Sequence, residues 1–336
     1  MGRFRFWLHF LLAGAHSLAV AGTDALVLPT ANTNLFTAGA EAEFFVGTVG
    51  KPWPSGTFGC VRTDGWQLHE GIDIKARQRD RKGEPIDPVM AIADGVVLYV
   101  NRKAGLSNYG NYIVIGHSID GVEVCSVYAH LRAIEETVHT GAKVKAGDRI
   151  ATLGRTSNTR SGISKERAHV HLEIALFLNK RFAEWHADRL PDTRNDHGMF
   201  NGQNFAGIDP ARLLLEHHQL GARFNLRQFI QAQPELCRVQ VRDTNFAFLK
   251  RYGSLVDPAA DTRGVAGYEI VISHAGAPMR LIPRTAAELK SPARIHLVSV
   301  NEAVQQEHRC RKLVTKTKNG WELANNGRQL IDLLLY

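Results

Sequence analysis

Through the N-terminal two-thirds of the chain, apolar positions alternate with polar ones or gather in short runs bounded by Gly, Asp, Asn and Pro. That texture predicts short β-strands joined by tight turns. Residues 112–117 and 122–130 flank Ile119-Asp120-Gly121, a hairpin signal. Residues 88–100 hold two β-rich runs around Asp94-Gly95, predicting a second hairpin or tight turn, and 144–154 repeat the pattern as a strand pair. The strictest alternation is His169-Val170-His171-Leu172-Glu173-Ile174. On a strand, His169, His171 and Glu173 share one face while Val170, Leu172 and Ile174 share the other. Earlier, His69-Glu70-Gly71-Ile72-Asp73 spaces His69 and Asp73 by four, which places both on one face of a helix or a strand. Gly71 costs a helix about 1 kcal/mol, and the β-branched Ile72 and Ile74 favour a strand.

The remaining segments complete the outline. Residues 22–45 read as a leading strand along a domain edge, 51–56 as a Pro/Gly loop, 155–168 as a long polar loop, and 180–204 as a surface excursion. Asp209-Pro210 ahead of 211–216 predicts a capped helix, and 225–233 a second, linking one. Beyond residue 235 strand-like runs recur at 268–273, 294–300, 311–316 and 321–324, with Asn319-Gly320 as a turn and 285–290 as one helical turn. The expected fold is therefore mainly β: an antiparallel-sheet or barrel-like domain over 22–216, a helical linker over 217–234, and a small β-rich C-terminal domain over 235–336 with no assigned role.

Composition adds compartment and partners. The chain's 336 residues give room for two domains, and 44% hydrophobic content is enough for a globular core. Arg3 and Arg5, an apolar run over 7–20 and Ala19-Val20-Ala21 form the pattern of an export signal over 1–21, cleaved or kept as an anchor. No later stretch reaches the roughly 20 apolar residues that span a bilayer. The net charge is +8, or +6 without Arg3 and Arg5. A basic exported protein suits an anionic wall polymer or membrane surface. Basic residues are not interleaved with aromatics along a groove, so no nucleic-acid partner is expected. The four cysteines, Cys60, Cys125, Cys237 and Cys310, allow three pairings. A Cys237–Cys310 bridge inside the C-terminal part is the expectation, and without a C-x-x-C pair neither a cysteine zinc site nor a redox motif is.

The two histidine phrases carry the chemistry. His69, Asp73 and one of His169 or His171 offer two imidazoles and a carboxylate, the ligand count of a catalytic zinc that leaves a position for water. Such a site keeps a net positive charge and acidifies bound water. His130, closing Val127-Tyr128-Ala129-His130, and the other histidine of the pair are left for proton handling. Glu70 is no glutamate base of the helical H-E-x-x-H kind, because Asp73 stands where that motif has its second His. Glu173 reads as a supporting partner for a ligand, and His117 as a packed histidine. Residues 144–154 look like a lipoyl-type hairpin but lack its carrier lysine.

Taken in order, H-E-G-I-D-I (69–74), A-D-G-V-V (93–97), Y-A-H-L (128–131), G-A-K-V-K-A-G-D-R-I-A (141–151) and H-V-H-L-E-I (169–174) resemble the lysostaphin-type (LytM-type) zinc endopeptidases of bacterial cell walls. The resemblance runs from about residue 26 to 216. It implies a groove over an antiparallel sheet and one zinc ion per chain on His69, Asp73 and His171. His130 and His169 would then orient the water and stabilise the tetrahedral intermediate, and the substrates would be peptide stems or cross-links of peptidoglycan. Residues 77–87 and 155–168 depart from the family pattern and are expected to border the groove. Two rivals stand beside this reading: a non-hydrolytic wall-binding activator of other hydrolases, and a zinc peptidase acting on ordinary proteins.

Overall fold

The computed structural model describes residues 25–336, so the export signal expected over 1–21 lies outside the described residues. The chain opens as an extended segment, tied by Val27 N–H to Ile92 O and by Met90 N–H to Pro29 O. It buries Leu26 and Leu28 but forms no strand, which corrects the leading-strand expectation. After the short helix α1 (Glu41–Phe44) come β1 (Gly59–Arg62), β2 (Gln67–His69), β3 (Ile72–Lys75), β4 (Pro88–Met90), β5 (Gly95–Asn101), β6 (Tyr112–Ile119) and β7 (Val122–Ala129). They are followed by β8 (Ala133–Ile134), β9 (Lys143–Val144), β10 (Arg149–Thr152), β11 (His169–Phe177), α2 (Phe182–Arg189) and β12 (Phe205–Ile208).

A seven-stranded antiparallel sheet runs β12-β11-β7-β6-β5-β9, with β3 also on β11. The β6–β7 hairpin forms as expected. Ile119 pairs with Val122, and the two turn residues Asp120 and Gly121 both take positive φ, the twist that suits a two-residue turn. Two other expected pairs do not meet. β4 and β10 pair with each other in a separate three-stranded sheet with β8, while β5 and β9 pair in the large one. Local alternation found these strands, but their partners lie across the chain.

The second part contains α3 (Pro210–Leu220), capped by Asp209, whose side chain accepts from Ala211 and Arg212 N–H, and α4 (Leu226–Gln231), capped by Asn225. Then come β13 (Glu235–Val241), α5 (Ala247–Arg251), β14 (Val265–Ser273), β15 (Pro278–Thr285), β16 (Ile295–Val300), α6 (Glu302–Glu307), β17 (Val314–Thr317), β18 (Gly320–Leu323) and α7 (Asn325–Leu335). The sheet order is β15-β14-β13-β16, and β17–β18 form the hairpin marked by Asn319-Gly320. The pattern over 285–290 is a turn rather than a helix, and α7 and β15 escaped the sequence reading. One continuous buried cluster runs from Ile72 and Leu172 in the first sheet through Phe229 on α4 to Val239, Ile270 and Leu334. Polar ties cross the same boundary: the Tyr252 hydroxyl oxygen accepts from Phe177 N–H, and Asn179 Nδ2 donates to Leu333 O.

The disulfide is Cys60–Cys310, not Cys237–Cys310. Cys237 lies inside β13 between two neighbouring strands and is buried, as is Cys125, and both are free thiols. Cys310 instead faces β1 in a small apolar cluster with Leu68, Ala275 and Phe58. Beside that cluster His274 stacks on His308 at 4.0 Å and meets Phe58 edge-on. Burial, reinforced by His308, pushes the His274 imidazole down to about 4. Between about pH 4 and the ordinary 6.5 the unfolded chain therefore binds a proton that the folded chain refuses, and folding stability rises with pH across that window. Chemical denaturation at pH 4.5 and pH 7 should show a stability difference that shrinks in His274→Gln, by at most about 3 kcal/mol.

Candidate metal centre

Strand register builds the centre. On β11, His171 pairs with Asp73 of β3 on one side and with Ala129 of β7 on the other. His130 follows Ala129 directly, so three of the five expected residues are set by one cross-strand row. His69 closes β2, and Glu70-Gly71 carries the chain over to β3, so the first motif spans two strands rather than one. A Cβ on Gly71 would lie 2.2 Å from Leu172 O, which explains why the crossing needs glycine.

The ligand atoms converge. Asp73 Oδ1 lies 3.0 Å from His171 Nδ1 and 3.2 Å from His69 Nε2, and the two nitrogens are 3.1 Å apart. A tetrahedral ion with bonds near 2.0–2.1 Å needs ligand atoms roughly 3.3 Å apart, so these residues fit zinc. Each of the three is at most 6% exposed. His69 Nδ1–H donates to Thr57 O at 2.7 Å, so its Nε2 carries the lone pair that faces the others. Among the described residues this trio is the group of metal-binding side chains that meets in space.

The surrounding charges favour a cation. Burial alone would raise the Asp73 carboxyl, but His169, His69 and the hydrogen bond with His171 outweigh it and hold it well below the carboxylate range. Burial opposes charge on His171, yet its bonds to Asp73 and Glu173 raise it to about 10. Glu173 Oε1 sits 3.0 Å from His171 Nε2 and accepts from Tyr109 O–H at 2.5 Å, the supporting role expected of it. Arg62 Nη2 donates to Asp73 Oδ2 at 2.5 Å and lies 2.9 Å from His69 Nε2.

His130 and His169 stand beside the trio. Their ring centroids are 4.9 Å apart, and His130 is 5.9 Å from His171. His130 has φ +62°, a left-handed conformation that turns the chain at the end of β7. Its Nδ1–H donates to Thr156 O at 2.9 Å, and His169 Nδ1–H to Arg167 O at 2.6 Å. Each Nε2 therefore carries its ring's lone pair, that of His169 lying 3.5 Å from Asp73 Oδ1. Burial pushes both imidazoles below their ordinary value, His130 furthest, so both are neutral near pH 7. His117 is elsewhere, hydrogen-bonded between Asp94 O and Ser126 Oγ, the packed histidine that was expected.

The trio opens into a groove of about 660 Å³, lined also by Tyr109, Arg167, Ser157, Thr159, 161–163 and 201–203. Of the two sequence departures expected to border it, 155–168 lines the groove, whereas 77–87 does not and instead braces 155–168 from behind. Arg155 grips Glu84 through two 2.9 Å bonds, Arg79 Nη1 donates to Lys165 O, and Lys165 Nζ to Lys82 O. Sequence reasoning missed Arg62, Tyr109 and Arg167. Each lies outside the alternating phrases and reaches the site by a turn or a neighbouring hairpin.

Residues 67–182 match the model of Peptidase family M23. The DD-carboxypeptidase/endopeptidase Mpg of Neisseria meningitidis serogroup B (strain MC58) is 36% identical over 33% of this chain and 21% of that protein. The murein hydrolase activator NlpD of Escherichia coli (strain K12) is 38% identical over 31% of this chain and 22% of that protein. A solved zinc-containing peptidase from Vibrio cholerae aligns at 30% identity over 32% of this chain and 26% of that one, with a TM-score of 0.24. The match thus spans about a fifth of the length of these curated relatives.

The close approach at residue 71 gives a direct check on the register. Gly71→Ala should cost about 1–3 kcal/mol of overpacking in urea unfolding, whereas an alanine at exposed Gly105, with open space around it, should cost less.

Proposed function

We propose that this chain, whose residues 67–182 form a Peptidase family M23 domain, is an exported zinc metallo-endopeptidase that hydrolyses peptide cross-links of bacterial peptidoglycan. The observation that carries the reading is the convergence of His69 Nε2, Asp73 Oδ1 and His171 Nδ1 beside two neutral histidines whose Nδ1–H groups are tied to backbone carbonyls. Zinc on that trio would supply a Lewis acid that acidifies water and polarises the scissile carbonyl. The remaining steps belong to side chains. His130 or His169 accepts a proton at Nε2 from the attacking water, and each is held for that task by its Nδ1–H bond to a carbonyl. The imidazolium so formed faces the developing oxyanion and returns the proton to the departing amine. Glu173 and Tyr109 lock the His171 ring, and the groove rim positions the peptide.

The substrate assignment rests on the names of the relatives, Mpg as an endopeptidase and NlpD as a murein hydrolase activator. An envelope location agrees with both, and among the described residues no helix is long and apolar enough to cross a membrane. The likeness to NlpD also raises the activator reading, which the filled ligand set and both proton carriers oppose.

Purified protein should contain one zinc per chain and release peptide fragments from isolated sacculi, detected by mass spectrometry. His171→Ala should lose both metal and release. His130→Gln should keep the metal and lose about 10²–10⁴ in kcat. Zinc retained with release unaffected by His171→Ala would refute the mechanism, and sacculus binding without any release would favour the activator.

A further inference from the structure

Arg62 is neither a ligand nor a proton carrier in that reading, yet its Nη2 touches both Asp73 Oδ2 and His69 Nε2. An imidazole nitrogen has one in-plane lone pair. With an ion on His69 Nε2, the Arg62 contact reduces to the outer oxygen of Asp73. A carboxylate with one oxygen taken by a guanidinium meets a cation through the other, and Oδ1 is the oxygen facing His69 and His171. Arg62 is suited to this work: Asp73 is buried, the guanidinium is largely so, and its Nε has no hydrogen-bond partner to draw it elsewhere.

What places Arg62 comes from the far end of the chain. β1 pairs with β2 alone, and the backbone around it is irregular, with positive φ at Gly59, Thr63, Asp64 and Gly65. This short ribbon lies at the edge of the centre and would be loose by itself. C-terminal residues grip it from outside. Cys310 is bonded to Cys60, two residues before Arg62, and Arg309 lies over the Trp66 ring at 4.2 Å. Ala275 and Cys310 pack on Leu68, next to His69.

We propose that Arg62 is a positioning residue that restricts Asp73 to one-oxygen coordination, and that the C-terminal part of the chain sets its position through the Cys60–Cys310 disulfide. The inference rests on the metallopeptidase reading. It gives residues beyond 235 a task that no motif announces: they hold one wall of the metal centre and so govern its affinity and coordination number.

Zinc affinity of the full chain, measured by competition with a chromophoric chelator, tests this together with the visible spectrum of the cobalt(II)-loaded protein. Arg62→Ala should weaken zinc binding by about tenfold to a hundredfold. Its cobalt bands should also fade as Asp73 becomes two-handed and the coordination number rises. Arg62→Lys, which keeps the charge and reaches one oxygen, should restore much of the loss, and Arg62→Gln is the neutral variant should the alanine form unfold. The joint Cys60→Ser, Cys310→Ser chain should fall between wild type and Arg62→Ala in both readouts. Neutral variants with wild-type affinity and spectrum would overturn the role of Arg62, and a wild-type result for the serine pair would overturn the C-terminal link. A wild-type chain that takes up no zinc would instead overturn the metallopeptidase reading and this inference with it.

Discussion

The antiparallel register of β11 between β3 and β7 is the constraint on which the centre depends. With side chains alternating along each strand, a slip of one residue would turn His171 away from Asp73 and bury its apolar neighbours on the wrong face. The register is held from both sides. Val170, Leu172 and Ile174 enter the main core, and Ala175 and Phe177 enter a second cluster on the opposite face with Tyr112 and Val127. A strand buried over its whole length has no cheap alternative pairing, so the geometry of His171 against Asp73 is a by-product of packing.

Burying two carboxylates at one place carries an electrostatic cost that the surroundings must offset. Asp73 is met by three histidines and Arg62, and Glu173 by His171 and the Tyr109 hydroxyl. The consequence is a pocket that stabilises positive charge at its centre while keeping two histidines beside it neutral. Both features come from the same low-dielectric wall: it strengthens attraction to the carboxylates, and at His130 and His169 the burial penalty on a charged imidazole outweighs the pull of Asp73.

Function is also distributed over distance. The groove-lining segment 155–168 is cross-linked to 77–87 by Arg155–Glu84 and Lys165. The ribbon carrying Arg62 and His69 is pinned by residues near the end of the chain. The shared core and the Cys60–Cys310 bond join the C-terminal part to the domain that carries His69 and Asp73.

The alternation over 169–174, the His69–Asp73 spacing and the Asp120-Gly121 and Asn319-Gly320 turns were legible because they are local: side-chain period and turn chemistry are written in adjacent residues. They determined the β-rich class, the candidate histidines and carboxylate, and the strand face that His169 and His171 share. The partners of β4, β5, β9 and β10 were not legible, because a strand's sequence says how it is buried but not against which distant strand. Cys310 pairing with Cys60 and Arg62 reaching Asp73 belong to the same category. Contacts between residues far apart in sequence are chosen by the packing of whole layers, and only the tertiary structure decided them.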